Sequence, residues 1–197
     1  SYKASFMHSV IANLSSNKIE KASLFSDKDN NLNLSQKIHE KFRPYIGMKD
    51  KDIAISLGIS EQECKQRHSI LSKNILKAIF GVPKSINVEE YIDEFSKADV
   101  TVKTVKLNEN NMPDQNVSFP AFKYKEIYRE QWDNSLIKEQ IDCKFLFVFF
   151  KEIGNECFLD SISYWNMPIE DLEEVKKVWK KTKECVKTGK IVKEIKK

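Results

Sequence analysis

The side chains best suited to ligating a metal or acting as nucleophiles are three histidines, His8, His39 and His68, and four cysteines, Cys64, Cys143, Cys157 and Cys185. No histidine has a second metal ligand at i+3 or i+4 that would complete a recognised site, so all three are expected to be surface or packing residues. The cysteines are scattered without a C-x-x-C pair, which suggests neither a zinc knuckle nor a disulfide framework and makes a reducing, cytosolic home the default. G-x-S-x-G, Walker and dinucleotide fingerprints do not occur, so acyl transfer, nucleotide hydrolysis and hydride transfer have no support. Two stretches are left. Asp52-Ile53-Ala54 to Leu57-Gly58-Ile59-Ser60 has the pattern of the first helix and turn of a helix-turn-helix. Its candidate recognition helix, however, begins with Glu61 and Glu63 and reaches Lys65, Gln66 and Arg67 only afterwards, so helix packing is the expected role. The other stretch runs from Glu94 through Lys97, Asp99 and Thr101 to Lys103 and Thr104, and reads as a helix end, a tight turn and a strand.

Positioning these residues requires helices first and strands later. A helix is expected from Ser35, with Ile38 and Phe42 on one face and Arg43-Pro44 ending it, after a polar, turn-prone Asp27–Asn33. A longer helical pattern with Ile70, Leu71, Ile75, Leu76 and Ile79 stops at Gly81 and Pro83, and a short helix spans roughly Val88 to Lys97. From residue 99 the period changes. Val100, Val102, Val105 and Leu107 form a broken alternation that predicts a strand, followed by a turn-rich Asn108–Asp114. Cys143 to Phe150 (CKFLFVFF) is apolar except at Lys144, the pattern of a strand covered on both faces, and its aromatics are expected in the core. Phe158 to Trp165 is a further strand. Pro168 opens a helix whose acids precede its lysines, as the helix dipole favours, with Ile169, Leu172, Val175, Trp179, Thr182 and Val186 as the buried face and Gly189 at its end.

At 197 residues, with 41% apolar and 31% charged content, the chain fits one medium-sized globular domain and not a disordered or fibrous one. No apolar run approaches the ~18 residues of a membrane helix. The net charge of +4 is weakly basic, and five lysines against one acid between Lys187 and Lys197 account for all of it. A neutral body with a basic, solvated tail is expected. Beginning at Ser1 without a signal segment, the chain reads as a piece of a longer polypeptide.

Taken in order, several features resemble the MutH-like nucleases over residues 35 to 190. They are Ile79-Phe80-Gly81 closing a helix, the Glu94–Thr104 stretch, Val117-Ser118-Phe119-Pro120-Ala121-Phe122-Lys123-Tyr124-Lys125-Glu126, Trp132 with Ser135, CKFLFVFF, and Trp165-Asn166-Met167-Pro168 with its helix. Within that family the resemblance is greatest to the second, C-terminal MutH-like domain of GATC-cutting type II restriction endonucleases, in which an N-terminal domain cuts and the second serves as a DNA-binding effector. The resemblance implies an α/β fold of restriction-endonuclease type, a mixed sheet with flanking helices, whose two arms surround a cleft. Residues 1–87 would be the mainly helical arm and 88–197 the mixed-sheet arm with the long C-terminal helix, together one domain.

In that family an Asp precedes a strand bearing Glu-x-Lys. Two carboxylates hold Mg²⁺, which polarises the scissile phosphate and generates hydroxide, while the Lys orients water or steadies charge. The resemblance sets Glu94 at the Asp, Thr101 at the Glu, Lys77 at an upstream helical Glu and Lys103 at the Lys. Thr101 supplies no charge and Lys77 repels a cation, so the site is expected to be degenerate, with no catalytic residue and no metal in this domain and Mg²⁺ serving the parent enzyme. Lys103, Lys106, Lys123 and Lys125 are the expected phosphate contacts, if the old cleft still tracks the backbone. The implied partners are double-stranded DNA containing GATC and an N-terminal catalytic domain in the bacterial cytoplasm, with no membrane. Base-reading residues are expected beyond Lys197. Two rivals stand beside this reading: an active Mg²⁺ nuclease using Glu94 with Asp93 or Asp99, and a structural or dimerisation domain with little DNA contact.

Overall fold

In the computed structural model, which describes residues 21–25, 32–117, 119, 121 and 123–189, the first helix, α1 (Leu34–Phe42), begins just before the expected Ser35. Asn33 accepts from the Gln36 N–H while the Gln36 side chain accepts from the Asn33 N–H, each at 2.9 Å, a capping box that satisfies two helix-end donors. A 3-10 turn (Arg43–Tyr45) carries the Pro that ends it. Then follow α2 (Asp50–Ser56), a single turn α3 (Glu61–Cys64) and α4 (His68–Phe80). Leu71, Ile75 and Ile79, with Ser72, Leu76 and Phe80, form the buried stripe of α4. Ile70, expected in that pattern, falls off the stripe and is exposed.

The helix expected over 88–97 is two, α5 (Val88–Tyr91) and α6 (Asp93–Ala98), separated by an extended and fully buried Ile92. The interruption has a partner. Ala22 bridges to Ile92, donating to the Tyr91 carbonyl and accepting from the Asp93 N–H at 3.0 Å each, so an upstream segment uses backbone groups a continuous helix would have kept. Asp99 then turns the chain in the left-handed region, φ 53°, into β1 (Val100–Leu107).

After the turn-rich loop come α7 (Tyr124–Arg129), a 3-10 turn (Trp132–Asn134), α8 (Leu136–Ile141), β2 (Lys144–Ile153), β3 (Glu156–Asn166) and α9 (Ile169–Thr188). The sheet order is β1-β2-β3, with β1 parallel to β2 in the register Val100↔Lys144 to Leu107↔Lys151. A two-residue connection at Gly154, φ 61°, makes β2 and β3 an antiparallel hairpin, so the sheet is mixed. The mixed α/β class read from the sequence is the class found. β2 is the central strand, but its two faces differ. Leu146, Val148 and Phe150 are wholly buried, whereas on the other face only Phe145 is, Phe147 and Phe149 being half-buried in a row of rings that ends on Trp165.

The chain divides into two compact units, Ser1–Val117 with Lys144–Trp165, and Ser118–Cys143 with Asn166–Lys197. The boundary expected at residue 87 falls inside the first unit. There α1, α2 and α4 to α6 share one core with the sheet, through Phe42, Ile53, Ile75, Phe80, Phe95, Leu146, Val148 and Leu159. Edge-to-face pairs Phe42–Phe80 (5.6 Å) and Phe80–Phe95 (5.3 Å) lock three helices together. The second unit has its own smaller core of Ile127, Trp132, Ile141, Leu172 and Trp179. Ile169, expected on the buried face of α9, is exposed because that core meets the helix only from Leu172 onward. His8, residues 27–31 and the lysines beyond Gly189 lie outside the described residues.

Candidate functional site

Lys77, Glu94, Thr101 and Lys103 lie on α4, α6 and β1, all in the first unit and all half-buried. Each therefore sits on a helix or strand and not on a loop. The Lys77 ammonium donates to the carbonyl of Lys84, beyond the helix that Gly81 ends in the left-handed region. Both oxygens of Glu94 lie 3.1 Å from the Leu24 N–H, and one also accepts from the Ser23 hydroxyl. Glu94 is therefore the tie that holds residues 23–24 against α6. Asp93, one candidate second carboxylate, pairs with Lys97 at 2.6 Å, and Asp99 occupies the turn. One carboxylate that sequence reasoning passed over sits directly on the strand: Glu89 accepts from the Val102 N–H at 2.8 Å, between Thr101 and Lys103. Its signal was faint, a glutamate in the first turn of a four-residue helix.

The four lysines expected on phosphate are not brought together. Lys103 and Lys106 are three residues apart on β1 and so point to opposite faces of the sheet. Lys106 is half-buried between Glu152 (2.7 Å) and Asp114 (3.2 Å); the Glu152 hydrogen bond, reinforced by Asp114, raises its pKa against the opposing effect of burial. Lys123 and Lys125 belong to the second unit, where both are exposed and Lys123 pairs with Glu126 at 3.1 Å. Of the helix-turn-helix pattern, the would-be recognition helix is the single turn α3. Its Ser60–Glu63 capping box closes it, and Lys65 and Arg67 stand exposed after it.

A different group of side chains does converge. A short antiparallel bridge, Lys49↔Phe158, with the Leu159 N–H donating to the Met48 carbonyl at 2.9 Å, lays the start of α2 along β3. It sets Asp50 beside Cys157. His68, the first residue of α4, enters from the helical side: its Nδ1 lies 3.0 Å from the Asp50 carboxylate and its ring stands edge-on to Phe150 at 5.0 Å. Donor atoms of Asp50, His68 and Cys157 all fall within 4.8 Å of one another. Burial opposes a charge on His68, but the Asp50 hydrogen bond and the adjacent Cys157 outweigh it and raise the imidazole from 6.5 to about 9. Among the described residues this is the one such cluster of metal-ligating side chains. Nothing local announces it, since Asp50 and His68 are 18 residues apart and Cys157 belongs to a distant hairpin.

No protein-family model matches the chain. Over an alignment of 162 residues that takes in 77% of the chain, it is 32% identical to the type II restriction enzyme Sau3AI of Staphylococcus aureus. That alignment covers 32% of the enzyme, so the chain spans about a third of the relative it matches. Among the described residues no helix is long and apolar enough to cross a membrane.

Proposed function

We propose, taking this relationship to a type II restriction enzyme as the premise, that the chain is a DNA-binding effector domain of a GATC-specific restriction endonuclease and does not itself cut. In this reading it is MutH-like, it engages a GATC duplex, and a catalytic domain N-terminal to it in the parent polypeptide carries out Mg²⁺-dependent hydrolysis in the bacterial cytoplasm. The observation that carries the reading is the state of the nuclease positions. Phosphodiester hydrolysis by a bound Mg²⁺ needs several oxygen ligands and a second carboxylate to balance the ion. Here Thr101 offers a neutral hydroxyl and Lys77 an ammonium. Glu94 accepts hydrogen bonds from Leu24 and Ser23. This donor set does not fit Mg²⁺, and no hydrolytic step is assigned to it.

DNA binding is supported by the kinship and by exposed cations. Lys123 and Lys125 are exposed and Lys103 lies on β1 beside the old motif, whereas Lys106 would have to exchange Asp114 and Glu152 for phosphate. The test is a gel shift of the full chain with GATC and scrambled duplexes at two salt concentrations, with a cleavage assay in Mg²⁺ run on the same preparation. Retarded, salt-sensitive DNA with no nicking is expected. Mg²⁺-dependent nicking would return the active-nuclease reading, and absence of any shift would favour a structural domain.

A further inference from the structure

Asp50, His68 and Cys157 have no part in the reading above, and it does not need them. We propose that this triad is a binding site for a borderline-soft divalent ion, Zn²⁺ by its chemistry, that fastens the helical layer of the first unit to β3. Carboxylate, imidazole and thiolate together are the donor set of zinc; Mg²⁺ and Ca²⁺ take oxygen ligands, and a thiol in the set selects against them.

The geometry is close to that required. With ligand bonds of ~2.0–2.3 Å, the edges of a tetrahedral zinc site are ~3.3–3.7 Å long. Asp50 and His68 are already 3.0 Å apart, and all the donors lie within 4.8 Å, so closing on an ion needs side-chain movements of about an ångström. The three donors come from α2, α4 and β3, elements whose relation is set by backbone pairing at Lys49↔Phe158 and by packing of His68 on Phe150. Charge balances as well, since a carboxylate and a thiolate match the two positive charges of the ion, which suits a site where Asp50 is 6% and Cys157 9% exposed. Lys106, close enough to Cys157 for their charges to interact, does not spoil this balance, because Glu152 and Asp114 flank its ammonium. Water completes the fourth position. The same three residue types also make a nucleophile triad, but Cys157 is buried in a strand and offers a reacting group no approach.

The experiment is a Co²⁺ titration of the full chain after removal of bound metal with a chelator, followed by the thiolate-to-cobalt charge-transfer absorption. One equivalent of Co²⁺ is expected to develop the band and Zn²⁺ to abolish it by displacement. Cys157→Ser should remove the band, Cys185→Ser at the exposed thiol should keep it, and His68→Ala should weaken binding about a hundredfold or more. A second measurement does not depend on variants: Zn²⁺ should raise the thermal unfolding midpoint of the chelator-treated chain, and Mg²⁺ at the same concentration should not. No band in the natural protein, a band that survives Cys157→Ser or is removed by Cys185→Ser, or an unfolding midpoint that Zn²⁺ moves no more than Mg²⁺ overturns the proposal.

Discussion

Glu94 and Thr101 show how a single residue's surroundings decide what it does. A carboxylate that accepts from a backbone N–H and a hydroxyl has been desolvated in one direction and oriented by the fold, so moving it onto a metal would expose the Leu24 N–H and release residues 23–24. Restoring the missing acid therefore does not restore the chemistry. Thr101→Glu is expected to leave Mg²⁺-dependent cleavage of GATC DNA at background, measured by nicking of a supercoiled substrate with protein purified free of any parent enzyme. Recovery of cleavage by that one change would show that Glu94 is available and that Lys77, which donates to the Lys84 carbonyl, is harmless to the ion. At this scale the sequence was informative about residue types and silent about partners. The neutral and cationic substitutions at 101 and 77 were legible, but that Glu94 ties down an upstream segment was not, because its partners lie about 70 residues away.

At the scale of elements, two sites carry distinct costs. Asp99 holds φ 53° between α6 and β1, and its carbonyl accepts the Lys144 N–H at 3.0 Å, so the turn also starts the pairing of β1 with β2. An L-residue with a branched Cβ is strained there by about 1–2 kcal/mol, whereas glycine is not. Asp99→Val is thus expected to lower the unfolding free energy by about that amount and Asp99→Gly to lower it far less, as read by urea titration. Equal losses would mean that the Asp side chain, not its backbone angle, matters. In the second unit, Trp179 is 5% exposed, packs edge-on against Trp132 at 5.7 Å and carries the Lys183 ammonium at 5.0 Å from its ring. Trp179→Ala should cost about 3–5 kcal/mol of stability, while Ile169→Ala, at an exposed position, should cost about 0.5 kcal/mol or less. Periodicity identified Trp179 and Leu172 correctly and overreached at Ile169, because a repeat of apolar residues marks a face without saying where the partner surface ends. The break at Ile92 was invisible for a related reason: a non-local bridge from Ala22 overrode local helix preference.

For the whole molecule, a net charge of +4 supplies little long-range attraction to DNA, so the proposed binding would rest on a few well-placed cations. The mixed α/β class was readable from the change of period near residue 99. The grouping of elements into units was not, since the polypeptide leaves the first unit after Val117 and returns to it at Lys144. This matters for where a duplex lies. Lys103 is in the first unit and Lys125 in the second, so each tests its own unit for phosphate contact. Each phosphate contact removed flattens the plot of log affinity against log salt by about 0.9. Replacing Lys103 and Lys125 by Ala, one at a time, is therefore expected in each case to reduce the slope by about 0.9 and to weaken GATC and scrambled duplexes alike, since phosphate contacts carry no sequence information. Replacing Lys65 and Arg67, exposed after the single turn α3, should leave the slope unchanged. Fluorescence anisotropy at a series of salt concentrations reads both pairs. The reverse pattern would move the duplex to the α2–α3 turn as the helix-turn-helix alternative requires, and a slope unaffected by either pair would leave DNA to other parts of the parent enzyme.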